Sequence, residues 1–197
     1  MKLAKSEIAA LFEGFKDKTA LVIGDVMIDA YYWGKVDRIS PEAPVPIVAV
    51  DKQESRLGGA ANVALNIQAM GAKPILCSII GSDDDGNTFL KLLNENNQSD
   101  KGIIRSEKRK TTSKSRVIGN NHQMLRIDSE QTEAISDDLS SLLYDRIKGI
   151  IDTEKIDVII FEDYDKGLIT PSLIEKVVEL AKNHTIPTTV DPKLINF

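Results

Sequence analysis

Four short runs organise the hydrophobic pattern of this chain: TALVI over 19–23, PILCSII over 74–80, DVIIF over 157–161 and IPTTV over 186–190. Apolar runs of this length are expected of strands buried on both faces, as in a parallel sheet. Between them, apolar residues recur with helical spacing. Residues 5–15 predict a short helix with Ile8, Leu11, Phe12 and Phe15 turned inward. Gly86 to Glu95 predicts another, with Asp83-Asp84-Asp85 capping its N-terminus rather than holding a metal. Ser136 caps a helix carrying Leu139, Leu142, Leu143, Ile147 and Ile150, and Thr170-Pro171 opens a further one with a cap followed by proline. Strands alternating with helices predict an α/β fold, a parallel sheet flanked by helices.

Two stretches break that rhythm. In Ala30–Val50, YYWGKV and PIVAV read as extended segments around RISPEAPVP, which Pro41, Pro44 and Pro46 stiffen. In Thr111–Asp128, SKSRVIG and HQMLRID read as two strands turning at Gly119-Asn120-Asn121. Two pairs of extended segments inserted into an α/β chain predict a small second sheet, with lid segments at about 30–50 and 111–128. Such a sheet covers a site or pairs with another subunit, because four strands can shelter a shared apolar face.

The stretch Leu57–Lys73, LGGAANVALNIQAMGAK, joins a double glycine directly to a helical pattern. Val63, Ile67 and Met70 lie on one predicted face with Ala64 beside them, and Gly71 supplies the stop signal. Gly58-Gly59 lets another group approach the backbone closely and delivers a helix N-terminus, with its unpaired N–H groups and the amide of Asn62. Such an end holds hydroxyls, phosphates or carboxylates. Taken alone, the glycines are better explained by tight strand–helix packing.

The other strand ends change that balance. Gly24-Asp25 with Asp29, Asp163 with Lys166, and Asp191 with Lys193 all follow apolar runs. If the strands are parallel, these groups meet along one edge of the sheet with Gly58, Gly59 and Asn62. Carboxylates and an amide suit sugar hydroxyls, and the two lysines suit phosphate.

Composition narrows the function classes. The 197 residues carry a net charge of −5, against a broad nucleic-acid surface. No apolar run approaches a membrane span, and the N-terminus is amphipathic with acids, unlike a signal peptide. The single cysteine, Cys77, lies inside an apolar run, which points to packing and a reducing cytosol. His122 and His184 are too isolated for a metal pair or a triad, and neither GxxxxGK[ST] nor GxGxxG occurs.

In chain order, GDVMID, a β insertion, LGGAANVA, a second β insertion, EDYDKG and VDPK resemble the ribokinase-like (PfkB) carbohydrate kinases from about residue 18 onward. Within that superfamily, WGKVDRISPEAPVPIV and KSRVIGNNHQMLRID resemble the heptose 7-phosphate kinases, which supply ADP-heptose for bacterial lipopolysaccharide. RISPEAPVP is the most specific of these strings. The resemblance implies a cytoplasmic enzyme that phosphorylates heptose 7-phosphate at its anomeric O1 with ATP and Mg2+. It also implies a β lid that closes on the sugar and pairs two copies as a homodimer, with neither nucleic acid nor membrane as partner.

The same resemblance assigns roles. Asp29 matches the sugar-hydroxyl-binding aspartate, Gly58-Gly59 the di-glycine and Asn62 the substrate asparagine. Asp163 and Lys166 belong to EDYDKG, which departs from the usual SDYxKG at Glu162, while Arg126 and Lys193 are implied as phosphate or active-site contacts. The family's GAGD motif, whose aspartate is the general base, occurs nowhere in this sequence and is expected beyond Phe197, with most of the ATP pocket. The chain is thus expected to be the sugar-binding, lid-bearing N-terminal portion of one kinase domain, inactive alone. A kinase of another sugar or sugar phosphate, and a non-catalytic sugar-phosphate-binding module, are the alternatives.

Overall fold

The computed structural model describes residues 4–193. Its first half runs α1 (Lys5–Phe15), β1 (Thr19–Gly24), β2 (Val26–Ile39), β3 (Pro46–Gly59), α2 (Ala60–Ala69), β4 (Lys73–Gly81) and α3 (Asp84–Glu95). The second half runs β5 (Gly102–Ser106), β6 (Thr112–Gly119), β7 (His122–Ser129), α4 (Asp137–Thr153), β8 (Val158–Glu162), α5 (Pro171–Asn183) and β9 (Thr188–Asp191).

Strands β5, β4, β1, β8 and β9 pair in that order, all parallel. Helices α4 and α5 bury one face through Leu143, Ile147, Leu173 and Val177 against Leu21, Ile23 and Ile159. On the other face, Ala64, Phe89 and Leu93 of α2 and α3 pack on Val22, Leu76 and Ile80. Burial on both faces is why these strands carry unbroken apolar runs. From β1 the order runs outward to β4 and β5 on one side, then to β8 and β9 on the other. Open α/β sheets bind ligands where the order reverses, beyond the carboxyl ends of the strands, which here is the β1–β8 crevice.

The two β-rich stretches form one separate sheet in the order β3-β2-β6-β7, with both hairpins antiparallel and β2–β6 parallel. Asn120 and Asn121 take φ of 50° and 66°, the left-handed pair that a two-residue hairpin turn requires. Register puts Asp29, Tyr31 and Trp33 of β2 on one face with Glu54 and Arg56 of β3, Lys114 and Arg116 of β6, and Arg126 and Asp128 of β7. The opposite face carries Ile28, Ala30, Tyr32, Val117, Leu125 and Ile127. Its inner end joins the core, whereas Leu125 and Ile127 stand exposed.

Several expectations need correction. Helix α1 forms but does not turn Ile8, Leu11 and Phe12 inward: all three are exposed, and only Phe15 is half-buried. Its amphipathy is real, but no neighbouring element among the described residues covers the stripe. In α2 the buried face is Ala60, Ala61, Ala64 and Ile67, with Val63 half-buried and Met70 exposed. Small residues face inward there because the helix lies close on the sheet. Leu142 of α4 is exposed, and the buried stripe continues instead through Ile151. Asp29 lies within a 14-residue strand rather than in a loop past one. β5, whose apolar run is only Ile103-Ile104, was not foreseen. Capping by Asp83, Ser136 and Thr170 is as expected.

Candidate active site

Asp25 follows the last residue of β1 and is 3% exposed. Its Oδ2 accepts hydrogen bonds from the backbone N–H groups of Tyr164 (3.0 Å) and Lys166 (3.1 Å), and its Oδ1 from Leu168 (3.2 Å). One carboxylate therefore wraps the EDYDKG loop around itself. Burial pushes its carboxyl above the ordinary value, and the three N–H groups oppose that shift. Its carbonyl accepts from Ala60 N at 2.9 Å, which takes up one of the free N–H groups of α2.

Gly59 stands at that junction with φ +60°, and a Cβ there would lie 2.4 Å from the Asp25 carbonyl oxygen. At Gly58 a Cβ would lie 2.5 Å from Asp29 Oδ2. The double glycine is thus required twice, once for backbone angle and once to admit a carboxylate. Asp29 Oδ1 accepts from Arg116 Nη1 at 2.6 Å, and the guanidiniums of Arg116 and Arg56 lie 5.2 and 5.1 Å from the Tyr31 ring. Tyr31 stacks on Trp33 with centroids 5.3 Å apart, so both aromatics serve the polar face of the second sheet. Asn62 is exposed in the first turn of α2.

The loop after β8 folds tightly. Asp163 Oδ1 accepts from Asp165 N at 2.9 Å and Oδ2 from Lys193 N at 3.4 Å, while Asp165 and Gly167 take φ of 54° and 81°. Lys193 Nζ lies 5.5 Å from the Tyr164 ring. Burial first, and then the charges of Glu162, Asp191 and Asp29, push the Tyr164 hydroxyl above its ordinary value. Tyr164 therefore stands among three carboxylates contributed by β8, β9 and β2. Lys166 Nζ pairs with Glu130 Oε1 at 3.2 Å.

The structure brings Asp29, Gly58, Gly59 and Asn62 to one end of α2, and ties Asp163, Lys166 and Lys193 into the adjoining loops. Arg126 lies on the same face as Asp29 but two strands away, on the order of 10 Å, and its Nε pairs with Asp128 Oδ1 at 2.8 Å. Arg116 is the arginine in contact with Asp29, and sequence reasoning missed it. Its position on alternate residues with Lys114 in SKSR was the available signal. The tie made by Asp25, the clip of Arg109 onto the carbonyls of Glu133 and Lys166, and the ion pairs of Glu130 were also missed. Cys77 is fully buried packing, its thiol pushed up to about 12 by burial.

The fold is shared with phosphofructokinase-2 from Escherichia coli in its tetrameric inhibited form, with a TM-score of 0.63 at 16% identity. That match covers 89% of this chain and 55% of the other. Arabidopsis thaliana ribokinase, complexed with ribose and ATP, matches at a TM-score of 0.58 and 14% identity, covering 88% of this chain and 53% of the other. In sequence, the bifunctional protein HldE of Geobacter sulfurreducens is 39% identical over 191 residues. That of Caulobacter vibrioides is 40% identical over 192 residues. These matches cover 97% and 96% of this chain but only 39% and 38% of the relatives, so the chain spans well under half their length. Residues 17–196 match the pfkB family carbohydrate kinases as a whole, and the chain belongs to that family.

Proposed function

We propose that this chain is the sugar-binding part of an ATP-dependent kinase that phosphorylates heptose 7-phosphate at its anomeric O1, for ADP-heptose and lipopolysaccharide synthesis. The observation that carries the reading is Asp29 Oδ2 lodged against Gly58 at the N-terminal end of α2. A carboxylate there accepts hydrogen bonds from sugar hydroxyls, while Asn62 and the N–H groups of the first turn address further oxygens. Arg116, Lys114, Arg126 and Lys166 supply positive charge for the 7-phosphate on the same side of the second sheet. Resemblance in RISPEAPVP and the HldE relatives support heptose over other sugars.

ATP is the phosphoryl donor in this reading. Among the described residues no group of three or more His, Cys, Asp or Glu side chains is arranged to hold a metal ion, so they do not fit a magnesium site made by protein alone. GAGD does not occur in the sequence, and we place the general base outside these residues. The chain by itself then binds the sugar phosphate and transfers no phosphate, since general-base catalysis and pre-aligned donors each account for about 100-fold or more. Two copies pair through the second sheet, and the compartment is the cytoplasm. No helix among the described residues is long and apolar enough to cross a membrane.

The test is calorimetric titration of the chain with heptose 7-phosphate, alongside ADP-release measurements with the sugar and ATP. Saturable binding without turnover is expected. Absence of binding in a folded protein refutes the substrate, and turnover refutes the placement of the base.

A further inference from the structure

Just past the end of β7, Glu130 sets its two carboxylate oxygens against two lysines from different parts of the fold. Oε1 lies 3.2 Å from Lys166 Nζ and Oε2 lies 3.4 Å from Lys114 Nζ. Lys166 belongs to the loop after β8. Lys114 belongs to β6, where it is the register partner of Asp29 and also meets Asp128 Oδ2 at 3.4 Å. The lysine side chains are 14% and 18% exposed and that of Glu130 is 25% exposed. Two ammonium groups are therefore held in a half-dry space between the second sheet and the loop, one residue row from Asp29. Arg116, two residues further along β6, holds Asp29 itself.

We propose that Glu130 is the resident counter-ion of an anion subsite formed by Lys114 and Lys166, and that the phosphate monoester of the substrate takes its place. The proposal rests on the sugar-phosphate reading and deepens it, by naming the residue that sets preference for phosphorylated over neutral sugars. Two lysines brought together away from water repel each other and lose hydration unless an anion stands between them. Glu130 meets that need before any ligand arrives. A phosphate monoester brings up to about two negative charges and three acceptor oxygens, so one group can serve both ammonium ions at once. Glu130, whose side chain is the most exposed of the three, is then displaced from both ammonium ions. A neutral sugar offers nothing to exchange for the carboxylate and leaves the lysines occupied. Selection against unphosphorylated sugars thus comes from the cost of the unpaired state as well as from attraction to phosphate.

The opposing possibility is a permanent tie, in which Glu130 fixes both lysines so that they can act. The two differ in sign. Glu130→Gln keeps the size and a hydrogen-bonding oxygen but removes the competing charge. A resident counter-ion predicts tighter phosphate binding in the variant, by about five- to tenfold for a partly exposed charge pair. A permanent tie predicts weaker binding, because the lysines lose their anchor.

The experiment titrates wild type and Glu130→Gln with inorganic phosphate, following the side-chain ammonium signals of Lys114 and Lys166 by NMR. Parallel calorimetry uses heptose 7-phosphate and unphosphorylated heptose. The expected result is a gain for both phosphate-bearing probes and no change for heptose. Equal or weaker phosphate binding by the variant overturns the inference whatever the sugars do. A gain for inorganic phosphate with no binding of heptose 7-phosphate supports the subsite and instead refutes the substrate. Should the variant fold poorly, Glu130→Asp, which shortens the reach to both lysines, is read in the same way. Weaker phosphate binding by it also overturns the inference.

Discussion

Glu162 and Asp191 are register partners on the parallel strands β8 and β9, so their carboxylates stand side by side on one face at the C-terminal rim of the sheet. Glu162 is 5% exposed and its Oε2 has no hydrogen-bond partner among the described residues. Burial, and then the charge of Asp191, pushes its carboxyl up to about 7 from an ordinary value of 4.5. The folded chain therefore holds this proton more tightly than the unfolded chain. That contribution to stability is fully present below pH 4.5 and is lost as pH rises through about 7. Glu162→Gln imitates the protonated form. Its melting temperature should exceed wild type by at least about 2 °C at pH 8 and differ little at pH 4.5. Scanning calorimetry at both pH values checks this, and a variant less stable at pH 8 would count against it.

Asp25 should matter more to the fold than any other acid. Asp25→Ala leaves the N–H groups of Tyr164, Lys166 and Leu168 without their acceptor inside the protein. Buried donors without partners cost roughly 1–3 kcal/mol each, so a loss near 3 kcal/mol is expected after water enters. Asp25→Asn should recover only part, because its amide turns one pair of donors toward other donors. Urea denaturation gives the loss, and hydrogen exchange should localise it to residues 162–168. A change under about 1 kcal/mol would contradict the tie.

For Asp29, substitution by alanine should weaken heptose 7-phosphate binding by about 10–150-fold, the equivalent of one hydrogen bond to a charged group. The same change frees Arg116, so neutral ligands should suffer more than phosphorylated ones. Calorimetry on the folded variant decides, and unchanged affinity would remove Asp29 from the site.

Pairing of two copies through the second sheet is tested at its exposed residues. Leu125 and Ile127 are 54% and 53% exposed on one face of β7, an edge strand of that sheet. Wild type should scatter light as a dimer at micromolar concentration, and Leu125→Asp with Ile127→Asp should halve the mass while keeping the fold. A monomeric wild type refutes the pairing.

Much of this architecture was legible because burial on both faces forces unbroken apolar runs, as in TALVI and DVIIF. The second sheet showed itself through Pro41, Pro44 and Pro46 and through the asparagine turn, which restrict the backbone locally. What stayed hidden depends on partners far along the chain. The acceptors of Asp25 contact residues some 140 positions away, and nothing local distinguishes such a carboxylate from a turn-forming one. Amphipathy in α1 named a face but not whether anything covers it. The double glycine was legible because Gly59 meets a demand of backbone angle and Gly58 one of space, and both favour glycine. Arg116 escaped because any arginine in an alternating strand has the same sequence signature.

Strand β2 begins one residue after β1 ends, and α2 begins where β3 ends. Two of the four crossings between the second sheet and the body, β1 to β2 and β3 to α2, therefore meet at Asp25, whose carbonyl holds Ala60. With 14 residues each, β2 and β3 reach roughly 45 Å from that point. The inner end of the sheet is also tied where β6 enters it, Thr111 donating its N–H and hydroxyl to Asp83, so the sheet projects as an arm from an anchored base. Asp29 sits about 13 Å out along it, and the tip at Ile39 and Pro46 more than three times farther. A rotation of about 5° that carries the tip through 4 Å moves Asp29 by roughly 1 Å, the scale on which a hydrogen bond is made or lost. A displacement applied at the far end of this arm would therefore reach Asp29 reduced more than threefold.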